Sequence, residues 1–188
     1  MTERKRIPLD EKGMPVRKED VPEDVTDDEP AECGCPRLEK EDWDGVESDW
    51  SDIAFVKTTT AAVLGIPVGY DAVKTELRKK AEAVGGTVPE DAMLLNGAGR
   101  FRRPVLLEVE GAIDGVKDIE RPGGVAFTRM FDAPWGKLPK LAEATEKQAA
   151  EKYGRKPDAV WLWYLTCRHC SRERNFETLI VAHYRGAL

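Results

Sequence analysis

The chain has 188 residues, of which 41% are hydrophobic and 34% charged, and it carries a net charge of −6. That length holds one domain with a real core, and no apolar run is long enough to span a membrane. The basic start has no apolar h-region, so the expected address is the cytoplasm, with no membrane partner.

The charge is uneven. Residues 1–32 hold six Lys/Arg against eleven Asp/Glu, and residues 19–32 contain eight acids and no base. Such a segment cannot bury enough apolar surface to offset its ordering entropy, so 1–32 reads as a disordered acidic tail. The body shows no basic stripe interleaved with aromatics, which argues against a nucleic-acid partner.

Residues 33–52 read as an irregular arm. It begins Cys33-Gly34-Cys35-Pro36 and carries Trp43-Asp44-Gly45 and Trp50 in a polar, turn-rich stretch. Exposed Trp is wasteful, so Trp43 and Trp50 should pin the arm to the body. From residue 53 the pattern is regular. Residues 55–66 are β-branched and Thr-rich, a strand with a break expected near Thr58–Thr60. Residues 71–84 predict a helix with Asp71 as N-cap, a stripe of Val73, Leu77, Ala81 and Val84, and a Gly85-Gly86 stop. Residues 92–95 and 104–113 are strands joined by a turn at Asn96-Gly97-Ala98-Gly99.

The order then recurs. Residues 125–131 predict a strand and residues 137–153 a helix with Leu138, Leu141, Thr145, Ala149 and Tyr153 on one face, stopped by Gly154. The runs 160–165 and 178–184 predict a β-hairpin apolar on both faces, hence a central, doubly covered pair. The body, 53–188, thus divides into halves 53–114 and 123–184, each β-α-β-β. The fold class is α+β: a tandem β-α-β-β pattern forming one antiparallel sheet, two helices on one face and a concave ligand cleft on the other.

Chemistry-bearing residues are few. No phosphate loop, nucleophile elbow or paired-histidine metal motif occurs, and the two histidines, His169 and His183, support no triad. Glu108 and Glu110 share one strand face with Leu106; on a cleft they would be catalytic general bases, on a solvent face ordinary charges. Tyr70, Trp135, Trp161, Trp163 and Tyr164 are core residues by default. The last hairpin's two apolar faces nevertheless require some of them to bind ligand in the cleft. The four cysteines form two close pairs, Cys33/Cys35 and Cys167/Cys170. A CxxC at a hairpin turn is the knuckle of a tetrahedral metal site, and a second pair would complete a Cys₄ set for structural Zn²⁺. A disulfide, a reactive pair and uncoupled thiols are the alternatives.

The tandem β-α-β-β order and its aromatic residues resemble the GyrI-like small-molecule-binding domains of the SOUL haem-binding-like superfamily. Phe131-Asp132-Ala133-Pro134-Trp135 is similar to that family's aromatic-x-Gly-Pro-aromatic turn. A narrower resemblance, to bacterial proteins labelled "hydrolase", rests on Cys33-Gly34-Cys35-Pro36, Trp43-Asp44-Gly45 and the Tyr-x-Thr-Cys-x-x-Cys at 164–170. The resemblance implies a domain that binds a hydrophobic or planar small molecule, with hydrolysis of it as the enzymatic form. Trp161-Leu162-Trp163-Tyr164 lacks the acid that cationic-drug binders of the family carry, which points away from cationic ligands. The rival reading is a metal- or redox-handling protein using the CxC and CxxC cysteines.

Overall fold

The structure is a computed structural model that describes residues 35–63, 66–67, 69–112, 116–167 and 170–186. The acidic stretch 1–32 and Cys33 lie outside the described residues, as does His169. In chain order the elements are α1 (Lys40–Trp43), β1 (Glu47–Asp49), β2 (Ala54–Val63), β3 (Ile66–Pro67), α2 (Tyr70–Ala83), β4 (Leu94–Asn96), β5 (Arg102–Val109), β6 (Ile119–Glu120), β7 (Val125–Asp132), α3 (Leu138–Tyr153), β8 (Ala159–Tyr164), α4 (Ser171–Arg174) and β9 (Glu177–Tyr184). The fold is α+β. Its antiparallel sheet runs β1-β7-β9-β8-β4-β5-β2-β3, with β6 beside β2.

The hairpin runs pair as the sequence indicates. Trp163 lies opposite Leu179 and Leu162 opposite Ile180, near the middle of the sheet. The connection carries the one-turn helix α4, which the charged segment had concealed. The break expected in the Thr run does not occur. β2 continues through it for ten residues, and Thr58 Oγ1 donates to Glu76 of α2 at 2.7 Å. Asp71 is not the N-cap of α2 either. Gly69 precedes Tyr70 with φ 72, a left-handed conformation that glycine adopts without steric cost, and Asp71 falls in the first turn, beside the positive end of the helix dipole. The predicted stripe Val73, Leu77, Ala81 and Val84 is buried. Leu138, Thr145 and Ala149 of α3 are buried too, and Ala149 and Tyr153 pack with Phe127, Ala182 and Tyr184.

Alternation along the strands makes cross-strand rows. Leu106, Leu95, Trp163, Leu179 and Met130 form one row across five strands. The arm closes over this row's face. Trp43 meets Trp163 edge-on, with centroids 5.8 Å apart. Trp50, 1% exposed, packs on Phe55 and stacks on His183 at 5.0 Å.

Polar bonds fix the arm's register. Asp44 Oδ1 accepts from Arg129 Nε at 2.7 Å and from the Met130 amide at 3.1 Å, while Thr128 Oγ1 donates to the Trp43 carbonyl at 2.6 Å. Burial raises the Asp44 pKa, but Arg129 and the Met130 N–H outweigh it and hold the carboxyl below its ordinary 3.8. Gly45, at φ 77, turns the chain so that β1 can join the edge of β7. The Trp-Asp-Gly motif is therefore a docking clip.

Because Trp50 is a fully buried aromatic, Trp50→Ala should lower unfolding free energy by roughly 3–5 kcal/mol in denaturant titration. A loss under about 1 kcal/mol would mean that the arm is a surface appendage.

Candidate functional site

A cavity of about 1050 Å³ opens among β4, β5, β8, α2 and α3. Leu94, Leu107, Val160 and Leu162 supply apolar surface from the sheet. Lys74 and Arg78 border it from α2, Arg103 from β5, and Glu143 and Glu146 from α3. Trp135, 49% exposed, stands beside Tyr164 at 6.1 Å and Phe176 at 5.5 Å, so an aromatic group flanks one wall.

The cleft expected opposite the helices is corrected by this arrangement. Residues of both helices border the cavity, and the sheet face bearing Leu95, Leu106 and Trp163 is filled by the arm's indoles. Of the five aromatics named from the sequence, Trp135, Trp163 and Tyr164 border the cavity. Trp163 is itself 2% exposed, held by Trp43. Trp161 is buried in the core and is not among the described lining residues; Gly97 packs so closely on its ring that a Cβ there would fall 2.9 Å from Cζ3. Tyr70 opens α2, and its side chain lies outside the described residues.

Glu108 and Glu110 are also absent from the described lining residues. Glu108 is half-buried, and its Oε2 accepts the Met93 amide at 3.0 Å. Desolvation pushes its pKa above the ordinary 4.5, the Met93 N–H opposes that, and the charges of Asp91 and Glu110 add to it. Glu110 is exposed and forms a backbone bridge to Thr87. Sequence reading missed the cavity's charged wall. The available signal was spacing: Lys74/Arg78 and Ala142/Glu146 are four apart and so share one face of their helices.

Two cysteines, Cys35 and Cys167, also border the cavity. The Sγ atoms of Cys35, Cys167 and Cys170 lie within 4.8 Å of one another, close enough to bind one metal ion. The Cys167 amide donates to Cys35 Sγ at 3.2 Å, and the Cys170 amide to Cys167 Sγ at 3.5 Å. Amides aimed at sulfur favour the thiolate, the form that ligates metal. Arg174 donates to the carbonyls of Pro36 (3.0 Å) and Leu165 (3.1 Å) and pairs with Glu177, tying the arm to the last hairpin.

Residues 24–183 match the family model described as bacterial hydrolase. The chain belongs to that family. No curated protein matches the chain. The matched span takes in the arm, the cavity and the cysteines. No described helix is long and apolar enough to cross a membrane.

His183, the one described histidine, is a core residue. It stacks on Trp50, and its Nε2 lies 2.6 Å from the Gly123 carbonyl. Burial pushes its pKa below the ordinary 6.5, Arg185 acts in the same direction, and the Gly123 bond, Asp158 and Glu120 oppose. Between its folded and unfolded pKa values the unfolded chain binds more protons. Stability from this group is complete above 6.5 and declines as pH falls through that value toward the folded pKa. Urea titrations from pH 7.5 to 5 should show that decline, and His183→Gln should flatten it. An equal slope in both proteins would remove His183 as its source.

Proposed function

We propose that the chain is a tandem β-α-β-β domain of GyrI-like architecture whose cavity takes a small molecule with a flat or apolar body. Several observations support the two-half reading. The order β2-α2-β4-β5 recurs as β7-α3-β8-β9, the pairings β2-β5-β4 and β7-β9-β8 correspond, and β4 meets β8 between them. Contacts of α2 with Thr58 and of α3 with Phe127 and Ala182 support both helices on one sheet face.

The observation that carries the binding reading is the cavity itself. Its volume is at the upper end for small-molecule sites, its sheet surface is apolar, and an aromatic group stands at its wall. Lys74, Arg78 and Arg103 on one flank and Glu143 and Glu146 on the other supply polar groups to orient a ligand. Membership in a bacterial hydrolase family supports hydrolysis as the reaction class. In that case the base for water falls to an acid bordering the cavity, Asp71, Glu90, Glu143 or Glu146, rather than to Glu108 and Glu110.

The test uses 8-anilinonaphthalene-1-sulfonate, an anionic probe with a large aromatic body, followed by its fluorescence and by quenching of intrinsic Trp emission. Wild type should bind about one equivalent. Ala142→Trp, which fills the cavity from α3, should weaken binding at least about tenfold, or 1.4 kcal/mol, without loss of fold. Equal binding by both proteins, or none by wild type, would end the reading. Glu108→Gln should leave probe affinity within about twofold, and a larger loss would return that carboxyl to the site.

A second reading is carried by the sulfur geometry. Cys35, Cys167 and Cys170 hold a structural Zn²⁺ that joins the arm to the last hairpin. The close approach of three sulfurs and the two N–H···S bonds support it.

A further inference from the structure

The cysteines and the cavity are not separate features. Cys35 and Cys167, two of the three clustered sulfurs, are also wall residues of the cavity, together with their neighbours Pro36 and Thr166. Lining positions on β8 and beyond, Val160, Leu162, Trp163, Tyr164 and Thr166, continue to Cys167. The sheet side of the cavity thus leads directly to the sulfur cluster. The facing wall there is residues 35–36, in a segment, 35–39, that has neither helix nor strand to position it. The Arg174 bond to Pro36, the Cys167 amide bond to Cys35 sulfur and the packing of Leu38 against the core hold it in place.

Resting on the metal reading and on the cavity reading above, we infer that Zn²⁺ at this cluster builds part of the wall of the cavity, so that metal and cavity ligand bind with positive coupling. Zn²⁺ suits three thiolates, and a tetrahedral thiolate site at Zn–S about 2.3 Å sets its sulfurs roughly 3.8 Å apart. Sulfurs already within 4.8 Å reach that spacing by small side-chain shifts. Thiols that become ligands release their protons, and the amides at Cys35 and Cys167 sulfur lessen that cost.

The coupling follows from what each partner selects. The metal requires the docked arm, because residues 35 and 167 are 132 apart in sequence and a bond through the ion must close that loop. The cavity ligand gains its contacts with Cys35 and Pro36 in the same docked state. Two ligands that both favour one state strengthen each other by an equal factor.

The experiment measures both sides of that equality. Protein purified without chelator is analysed for metal. 8-Anilinonaphthalene-1-sulfonate is then titrated into the Zn²⁺-loaded protein, the metal-stripped protein and Cys167→Ser. Zn²⁺ affinity is measured by competition with a chromogenic chelator, with and without saturating probe. The expected result is about one Zn²⁺ per chain, probe affinity about tenfold weaker in both metal-free forms, and Zn²⁺ affinity raised by the same factor when probe is bound.

Retained Zn²⁺ with no change in either affinity overturns the coupling and leaves the metal site standing. Protein that retains no Zn²⁺ and does not take it up overturns the metal site and the coupling together, while undiminished probe binding would leave the cavity standing. Probe that fails to bind the Zn²⁺-loaded protein overturns the cavity and the coupling but not the metal. Where stripping unfolds the chain, the chelator competition on folded, loaded protein decides.

Discussion

The structure depends on how the arm satisfies a sheet that is apolar on both faces. β8 and β9 place Trp163 and Leu179 on one face and Leu162 and Ile180 on the other. Neither row can be left in water, because each large side chain contributes roughly 1.5–3 kcal/mol when fully buried. Helices α2 and α3 contribute buried side chains of their own. The remaining demand is met by residues 43–50, whose two indoles sit at the end of the short α1 and just after β1. Such a small segment has little secondary structure to spend on self-organisation, so the Asp44–Arg129 pair and the Thr128 bonds must fix its register.

That arrangement decides where a ligand can go. Once Trp43 and Trp50 cover the row through Leu106, Leu95 and Trp163, the open volume lies where the helices stand apart over Leu94, Leu107 and Leu162. The cavity surface is largely apolar on the sheet side, apart from Asn96 and Arg103, and carries charged side chains from both helices. This combination fits an apolar body held at its edges by polar groups. Trp135 gains its position from the Pro134 turn that ends β7 and leads into α3, which leaves the ring half in solvent beside Tyr164.

Much of this was legible in the sequence, and the misses have physical causes. Periodicity placed α2, α3 and the β8–β9 pair, because their apolar residues recur at 3.6 or 2 residues and close packing enforces those periods. It also showed that the last hairpin needed cover on two sides, and that Trp43 and Trp50 needed a surface to bury against. Those two requirements are complementary, yet they arise more than a hundred residues apart, and no local pattern links them. The face assigned to a ligand from the sequence carries the arm's indoles. Glu108 and Glu110 went with it: they share the face of Leu106, and Glu108 ends half-buried with its carboxylate on the Met93 amide. The cavity's charged wall was missed for a different reason, since its spacing signal marks a helix face and not a cavity. Lys74, Arg78, Glu143 and Glu146 are ordinary residues for a solvated helix face, and only the distance between two helices makes them converge.

The arm is held along its length by forces of different kinds, and the difference matters. Around residues 43–50 the hold is burial of indoles, supported by one ion pair with low exposure on both partners. That hold is cooperative with the core and should persist until the domain unfolds. Around residues 35–36 no large apolar side chain is buried. The hold is hydrogen bonding from Arg174 and the Cys167 amide, together with three sulfurs whose interaction depends on protonation and on what they ligate. Each such hydrogen bond contributes about 1–3 kcal/mol net, less than burial of an indole, and Leu38 adds partial packing against the core. The part of the arm with conditional chemistry is thus the part that borders the cavity, and the unconditional part lies under the sheet. A chain that needed the arm only for stability would have no reason to divide it in this way.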